Sequence, residues 1–166
     1  MIIFNLKLSE GFTLIELMVA ISITAVLGSF GIAAFVNYNQ SQVLQASANE
    51  VVTMLNLAKS RAQSQIKPST ICPISSSFFL KGYTVKLTLP KNYQLYLNCS
   101  DTNDYPIGQL KTLPSNITFD ASTSPTSYLF PVSVSGAAVS GQIILKDNNN
   151  NRKTITVSNF GVVSLQ

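Results

Sequence analysis

At 166 residues the chain suits one mid-sized domain, or a smaller domain with an appendage. Hydrophobic residues make up 46% and charged residues only 11%, well under the roughly 25% of ordinary globular chains. A net charge of +4 is too mild to argue for nucleic acid alone, and the absence of histidine removes the commonest general base.

Residues 1–11, MIIFNLKLSEG, form a short leader with one lysine and one glutamate. From Leu17 to Val36 the sequence LMVAISITAVLGSFGIAAFV has no charge, and Glu16 stands just before it. As a helix these residues span about 30 Å, the thickness of a bilayer's hydrocarbon core. A cleavable secretory signal has a shorter apolar region, of about 7–15 residues, and an A-x-A-like exit that Gly31-Ile32-Ala33-Ala34 only approaches. The length favours a membrane anchor. Beyond Val36, Leu44, Ala48, Val51, Leu55, Ala58, Ala62 and Ile66 recur at steps of three and four, which predicts one apolar stripe of an amphipathic helix. Lys59, Arg61 and Lys67 suit its C-terminal dipole, and Pro68 supplies a stop. The pattern predicts a single helix from Phe12 to about residue 67, with Gly28 and Gly31 its weakest stretch.

After Pro68 turn residues separate short β-prone runs. Predicted strands are Tyr83–Leu89, Tyr93–Asn98, Asn116–Phe119, Tyr128–Val134, Gln142–Lys146, Thr154–Ser158 and Val162–Leu165. DNNNNRK reads as the loose polar turn of a hairpin, and Asn159-Phe160-Gly161 as a tight turn. Four segments follow: a leader (1–11), a transmembrane helix (12–36), its amphipathic continuation (37–67) and a β-rich domain (68–166). The fold class is α+β, with the helix's second half packed on an antiparallel sheet. Cys72 and Cys99 predict one disulfide in an oxidising compartment, closing a loop of 28 residues worth about 3–4 kcal/mol. Two unpaired thiols are the other reading. Two distant cysteines without histidine are too few for zinc.

Gly11-Phe12-Thr13-Leu14-Ile15-Glu16, followed by the apolar run, resembles the class III signal of type IV pilins and pseudopilins. The resemblance implies cleavage by a prepilin peptidase between Gly11 and Phe12, then N-methylation of Phe12. Glycine before the scissile bond lets an intramembrane protease approach the backbone. Glu16 becomes the fifth residue of the processed chain. An ionised carboxylate in a membrane helix costs roughly 2.5–3.5 kcal/mol without a partner. In the family that partner is the terminal amine of a neighbouring subunit, so Glu16 is expected to register helices during filament assembly. The closing segment GQIILKDNNNNRKTITVSNFGVVSLQ is similar to the ends of H-type minor pseudopilins. Cysteines confined to the early part of the domain, and an anchor without proline, also point to a minor subunit.

The resemblance implies a single-pass protein of the bacterial inner membrane with a periplasmic domain. Its partners are other pilin or pseudopilin subunits, the peptidase, an inner-membrane assembly platform and the bilayer. An enzyme is not expected: Glu50, Asp101, Asp104, Asp120 and Asp147 show no pairing pattern, and no G-x-S-x-G elbow occurs. No cofactor or metal is expected, since Asp101–Asp104 and Asp147–Asn151 lack the glycine and distant glutamate of an EF-hand loop. The alternative is a DNA-binding or adhesive minor pilin. In that reading Lys146, Arg152 and Lys153, flanking one hairpin turn, contact phosphates or a surface.

Overall fold

The run of helix formers that starts at Leu14 continues without proline to Gln63, and it forms one α-helix, α1 (Leu14–Gln63). The computed structural model describes residues 11–68, 79–101, 103–133 and 136–166, and no side chains at 29–31, 33 and 34. Leader residues 1–10, Cys72 and Val134 lie outside the described residues. The chain divides into two units, residues 1–39 and 40–166, to both of which α1 contributes.

In the first unit the described large apolar side chains are exposed. Phe12, Leu14, Ile15, Met18, Leu27, Ile32 and Phe35 are all at least 60% exposed. The hydroxyls among them turn inward on their own helix, Ser22 to the Met18 carbonyl at 2.8 Å and Thr24 to that of Ala20 at 3.0 Å. Such back-bonding satisfies these two hydroxyls within the helix. Among the described residues, no helix is long and apolar enough to cross a membrane. The expected span, Leu17–Val36, includes residues 29–31, 33 and 34, whose side chains lie outside the described ones.

In the second unit the predicted stripe is where the core forms. Leu44, Ala48, Val51, Leu55, Ala58 and Ala62 are at most 2% exposed, whereas Ile66, past the helix end, is 52% exposed. The helix stops before Pro68. Gln65 adopts a left-handed φ of 50°, the Gln65 N–H donates to the Ala62 carbonyl and the Ile66 N–H to that of Arg61. This is a Schellman termination with glutamine in the position that glycine usually holds. The Tyr83 hydroxyl donates to the Ile66 carbonyl, so the helix end is also tied to the sheet.

Among the described residues eight strands follow: β1 (Leu80–Thr88), β2 (Asn92–Cys99), β3 (Asp104–Thr112), β4 (Ile117–Phe119), β5 (Ser127–Pro131), β6 (Gly141–Asp147), β7 (Arg152–Val157) and β8 (Val163–Leu165). All seven predicted strands occur within a few residues of their expected bounds, and β3 is an addition. They form two antiparallel sheets rather than one, in the orders β3-β2-β1-β5 and β4-β6-β7-β8. The split arises because β5 returns to the open edge of β1, while β4 pairs with β6. Alternate residues point inward. Tyr93, Leu95 and Leu97 of β2, Tyr128 and Phe130 of β5, Ile143 and Leu145 of β6, and Ile155 and Val157 of β7 join the helix stripe in one buried cluster. At Gly82 the backbone of β5 comes so close that a Cβ would lie 2.3 Å from the Phe130 carbonyl oxygen, so only glycine fits. The turn between β7 and β8 closes with the Gly161 N–H on the Ser158 carbonyl at 2.9 Å, with Gly161 at φ 68°.

Candidate functional site

The stretch singled out by sequence, Gly11 to Glu16, sits at the start of α1. Thr13 is the helix N-cap: its hydroxyl accepts the Glu16 N–H at 3.3 Å, and its carbonyl accepts the Leu17 N–H at 3.2 Å. Thr13-x-x-Glu16 has the spacing of a capping box. That spacing is the signal in the sequence that marks Thr13, to which the family resemblance assigns no role. The helix thus begins two residues after Phe12, and Glu16 lies in its first turn, where a carboxylate suits the dipole. Among the described residues Glu16 has no ion-pair partner, and Gly11 and Phe12 are exposed.

The three cations of the β6–β7 hairpin do not form one patch. Lys146 and Arg152 are cross-strand partners, and both reach Asp120, at 3.5 and 3.4 Å. Lys153 is one residue on, opposite Leu145, and therefore belongs to the other face of the sheet. The Ser122 N–H and hydroxyl also donate to the Asp120 carboxylate, at 3.0 and 2.7 Å. These two bonds, with help from the two cations, hold its pKa down to about 2. No local pattern pairs Asp120 in the sequence, because Lys146 lies two strands later and Arg152 three.

The hairpin turn is ordered rather than loose. Asp147, 5% exposed, accepts the N–H groups of Asn149 and Asn151 and the Asn151 amide, and Asn150 sits at φ 62°. The Asn149 amide donates to Gln40 of α1. The remaining acids are engaged as well. Glu50 pairs with Lys111 at 3.0 Å, and Asp104 with Lys86, whose ammonium lies 4.9 Å from the Tyr96 ring centre. Asp101 accepts the Tyr105 hydroxyl at 2.5 Å, which lowers its pKa and raises that of the tyrosine. Every carboxylate of the β-rich part is thus committed to a turn or an ion pair. Among the described residues no three potential metal ligands converge. Cys99 is buried at the end of β2, and its expected partner Cys72 lies outside the described residues.

An N-terminal helix with exposed apolar side chains, whose later turns are buried on antiparallel sheets, defines a pilin-like fibre subunit. The prokaryotic N-terminal methylation motif matches residues 6–32. The family model of the type II transport protein GspH matches residues 47–161, more than half of the chain, and the chain belongs to that family. No curated protein and no solved structure matches it. The family comprises structural subunits of the type II secretion pseudopilus, associated with other pilins or pseudopilins at the inner membrane and periplasm. The chain is such a subunit and not an enzyme.

Proposed function

We propose that the chain is a minor pseudopilin that is cleaved after Gly11, N-methylated at Phe12 and polymerised through the first half of α1. The observation that carries this reading is the uncovered apolar surface of the described side chains between residues 12 and 38. Its large apolar side chains are exposed all around the helix, far beyond what a soluble monomer tolerates. Lipid covers that surface before assembly, with Leu17–Val36 spanning the bilayer and the β-rich unit on the periplasmic side. Other subunits cover it afterwards. Prepilin peptidase and the inner-membrane assembly platform are the transient partners on this route.

Thr13 starts the helix immediately after the new terminus and sets the Glu16 carboxylate one turn beyond it. In a filament the methylated amine of a neighbouring subunit neutralises that carboxylate, which matches its lack of an ion pair among the described residues. A Cys72–Cys99 bridge is the expected staple of the periplasmic unit. It is supported by Cys99 being buried and by the absence of free cysteines among the described residues. The pairing of Lys146 and Arg152 with Asp120, and the opposite facing of Lys153, do not favour the DNA-binding or adhesive alternative.

Gly11→Val tests the processing step in cells that make the fibre. It should leave an unprocessed precursor, and a mature-sized band would refute cleavage at this bond. Glu16→Ala should be cleaved normally yet enter fibres at a small fraction of the native level. Unchanged incorporation would refute the pairing role.

A further inference from the structure

Each of the two sheets has two edges, and three of the four are closed by the chain itself. The β3 edge carries Asp104, Pro106 and Lys111 and a bulge opposite Gln94. On β4 the outward Phe119 N–H donates to the Pro90 carbonyl at 2.8 Å. On β5 the outward Leu129 carbonyl accepts the Ala138 N–H at 2.8 Å, and Pro131 has no N–H to offer. Charge, proline, bulges and cover are the usual devices that keep an edge from pairing with another chain.

Among the described residues the β8 edge has none of these devices. Pairing with β7 engages alternate residues: the Gln166 N–H donates to the Thr154 carbonyl at 2.9 Å, and the Ser158 N–H to that of Val162 at 3.0 Å. Val163 and Leu165 therefore turn their N–H and C=O groups away from β7, and no hydrogen bond among the described residues reaches them. From Thr154 to Gln166 no residue is charged. The side chains of Val163 and Leu165 pack against the core cluster while Ser164 is exposed, so the strand is apolar on one face and polar on the other. Beside the edge, Val162 and Phe160 are 56% and 81% exposed. The turn that carries Phe160 is held from a second side as well, by the Ala137 N–H on the Asn159 carbonyl at 3.1 Å. A rigidly presented aromatic gives large contact area at low entropic cost.

We propose that the outer edge of β8 accepts an extended, uncharged strand from a neighbouring pilin-like subunit as a fifth strand of its sheet, with Phe160 and Val162 as the apolar anchor beside it. This rests on the reading that the chain is assembled into a fibre, and adds to it a contact outside the first half of α1. Strand addition of this kind draws affinity from main-chain hydrogen bonds and specificity from alternate side chains. The edge states what the incoming strand must be: apolar beside Val163 and Leu165, to extend the buried face, and polar beside Ser164. An edge without charge does not select nucleic acid or anionic headgroups, which are recognised through cations. The association of this family with other pilins or pseudopilins supplies such neighbours.

Residue-resolved amide hydrogen exchange reads the edge directly, because the Ser164 and Gln166 amides, bonded to β7, serve as internal standards. In the full-length chain in detergent the Val163 and Leu165 amides should exchange freely while Ser164 and Gln166 are protected. In fibres from cells that make them, both edge amides should slow by about a hundredfold or more. Val163→Pro removes one outward N–H and leaves the β7 ladder intact, a change that edge strands tolerate. It should lower the chain's share in fibres about fivefold or more relative to Val163→Ala, which also trims the side chain but keeps the N–H. Edge amides that stay fast in fibres, or Val163→Pro incorporated as well as Val163→Ala, would overturn strand addition alone. A native chain absent from fibres altogether would overturn the fibre reading and this contact with it. Edge amides already protected in purified chain of dimeric mass would assign the edge to a second copy and overturn the proposal.

Discussion

Two fully buried tyrosines should respond in opposite directions to the same deletion. Tyr83 and Tyr128 are both 0% exposed, but the Tyr83 hydroxyl donates to the Ile66 carbonyl whereas the Tyr128 hydroxyl has no partner among the described residues. Burial raises the pKa of both and is the sole cause at Tyr128; at Tyr83 the Arg61 charge opposes it. An unmatched buried hydroxyl costs about 1–3 kcal/mol. Removing it leaves a hole of about 10–15 Å³, which at about 24 cal/mol per Å³ costs only some 0.3 kcal/mol. Tyr128→Phe should therefore stabilise the β-rich unit by about 1–2 kcal/mol, or roughly 4 °C and upward in Tm. Tyr83→Phe should destabilise it by about 1–2 kcal/mol, since it orphans a carbonyl at the helix end. Denaturant titration of the full-length chain in mild detergent, followed by near-ultraviolet circular dichroism of the tyrosines, reads both. A loss at Tyr128→Phe as large as at Tyr83→Phe would refute the reasoning.

Leu55→Ala removes a fully buried member of the helix stripe and should cost about 3–4 kcal/mol, whereas Leu57→Ala, at a side chain 40% exposed, should cost well under 1. Equal losses in the same titration would mean that the helix does not seat on the sheets through that stripe. For Asp120 the folded pKa lies below the unfolded value, so its stabilisation is present above pH 4 and is lost as the pH falls from about 4 towards 2. Asp120→Asn should flatten that part of the acid limb and lower stability at neutral pH. An unchanged acid limb would show that the carboxylate is not held as described.

Helix α1 was legible because its information is local. The apolar run, the stripe from Leu44 to Ala62 and the Gly–Phe junction all declare themselves within a few turns of chain. Its end was not, because Gln65 fills the left-handed position without the glycine that usually signals it. Strand β3, DYPIGQLKT, carries a proline and a glycine and is mostly exposed, with a bulge at Gly108 opposite Gln94. Its strand character comes from pairing with β2 rather than from alternation. The division into two sheets depends on β5 finding β1 across three intervening strands, which no local pattern encodes. The same distance hid the Asp120 cluster. Its three members lie on separate segments, so the hairpin cations read as unpaired until the second sheet brought them to their carboxylate.

The most direct measurement is the intact mass and N-terminal fragmentation of the native chain from cells with a working secretion apparatus. The account predicts a polypeptide that starts at Phe12 and carries one extra methyl group on its amine. A chain still beginning at Met1, with an unmodified terminus, would contradict it.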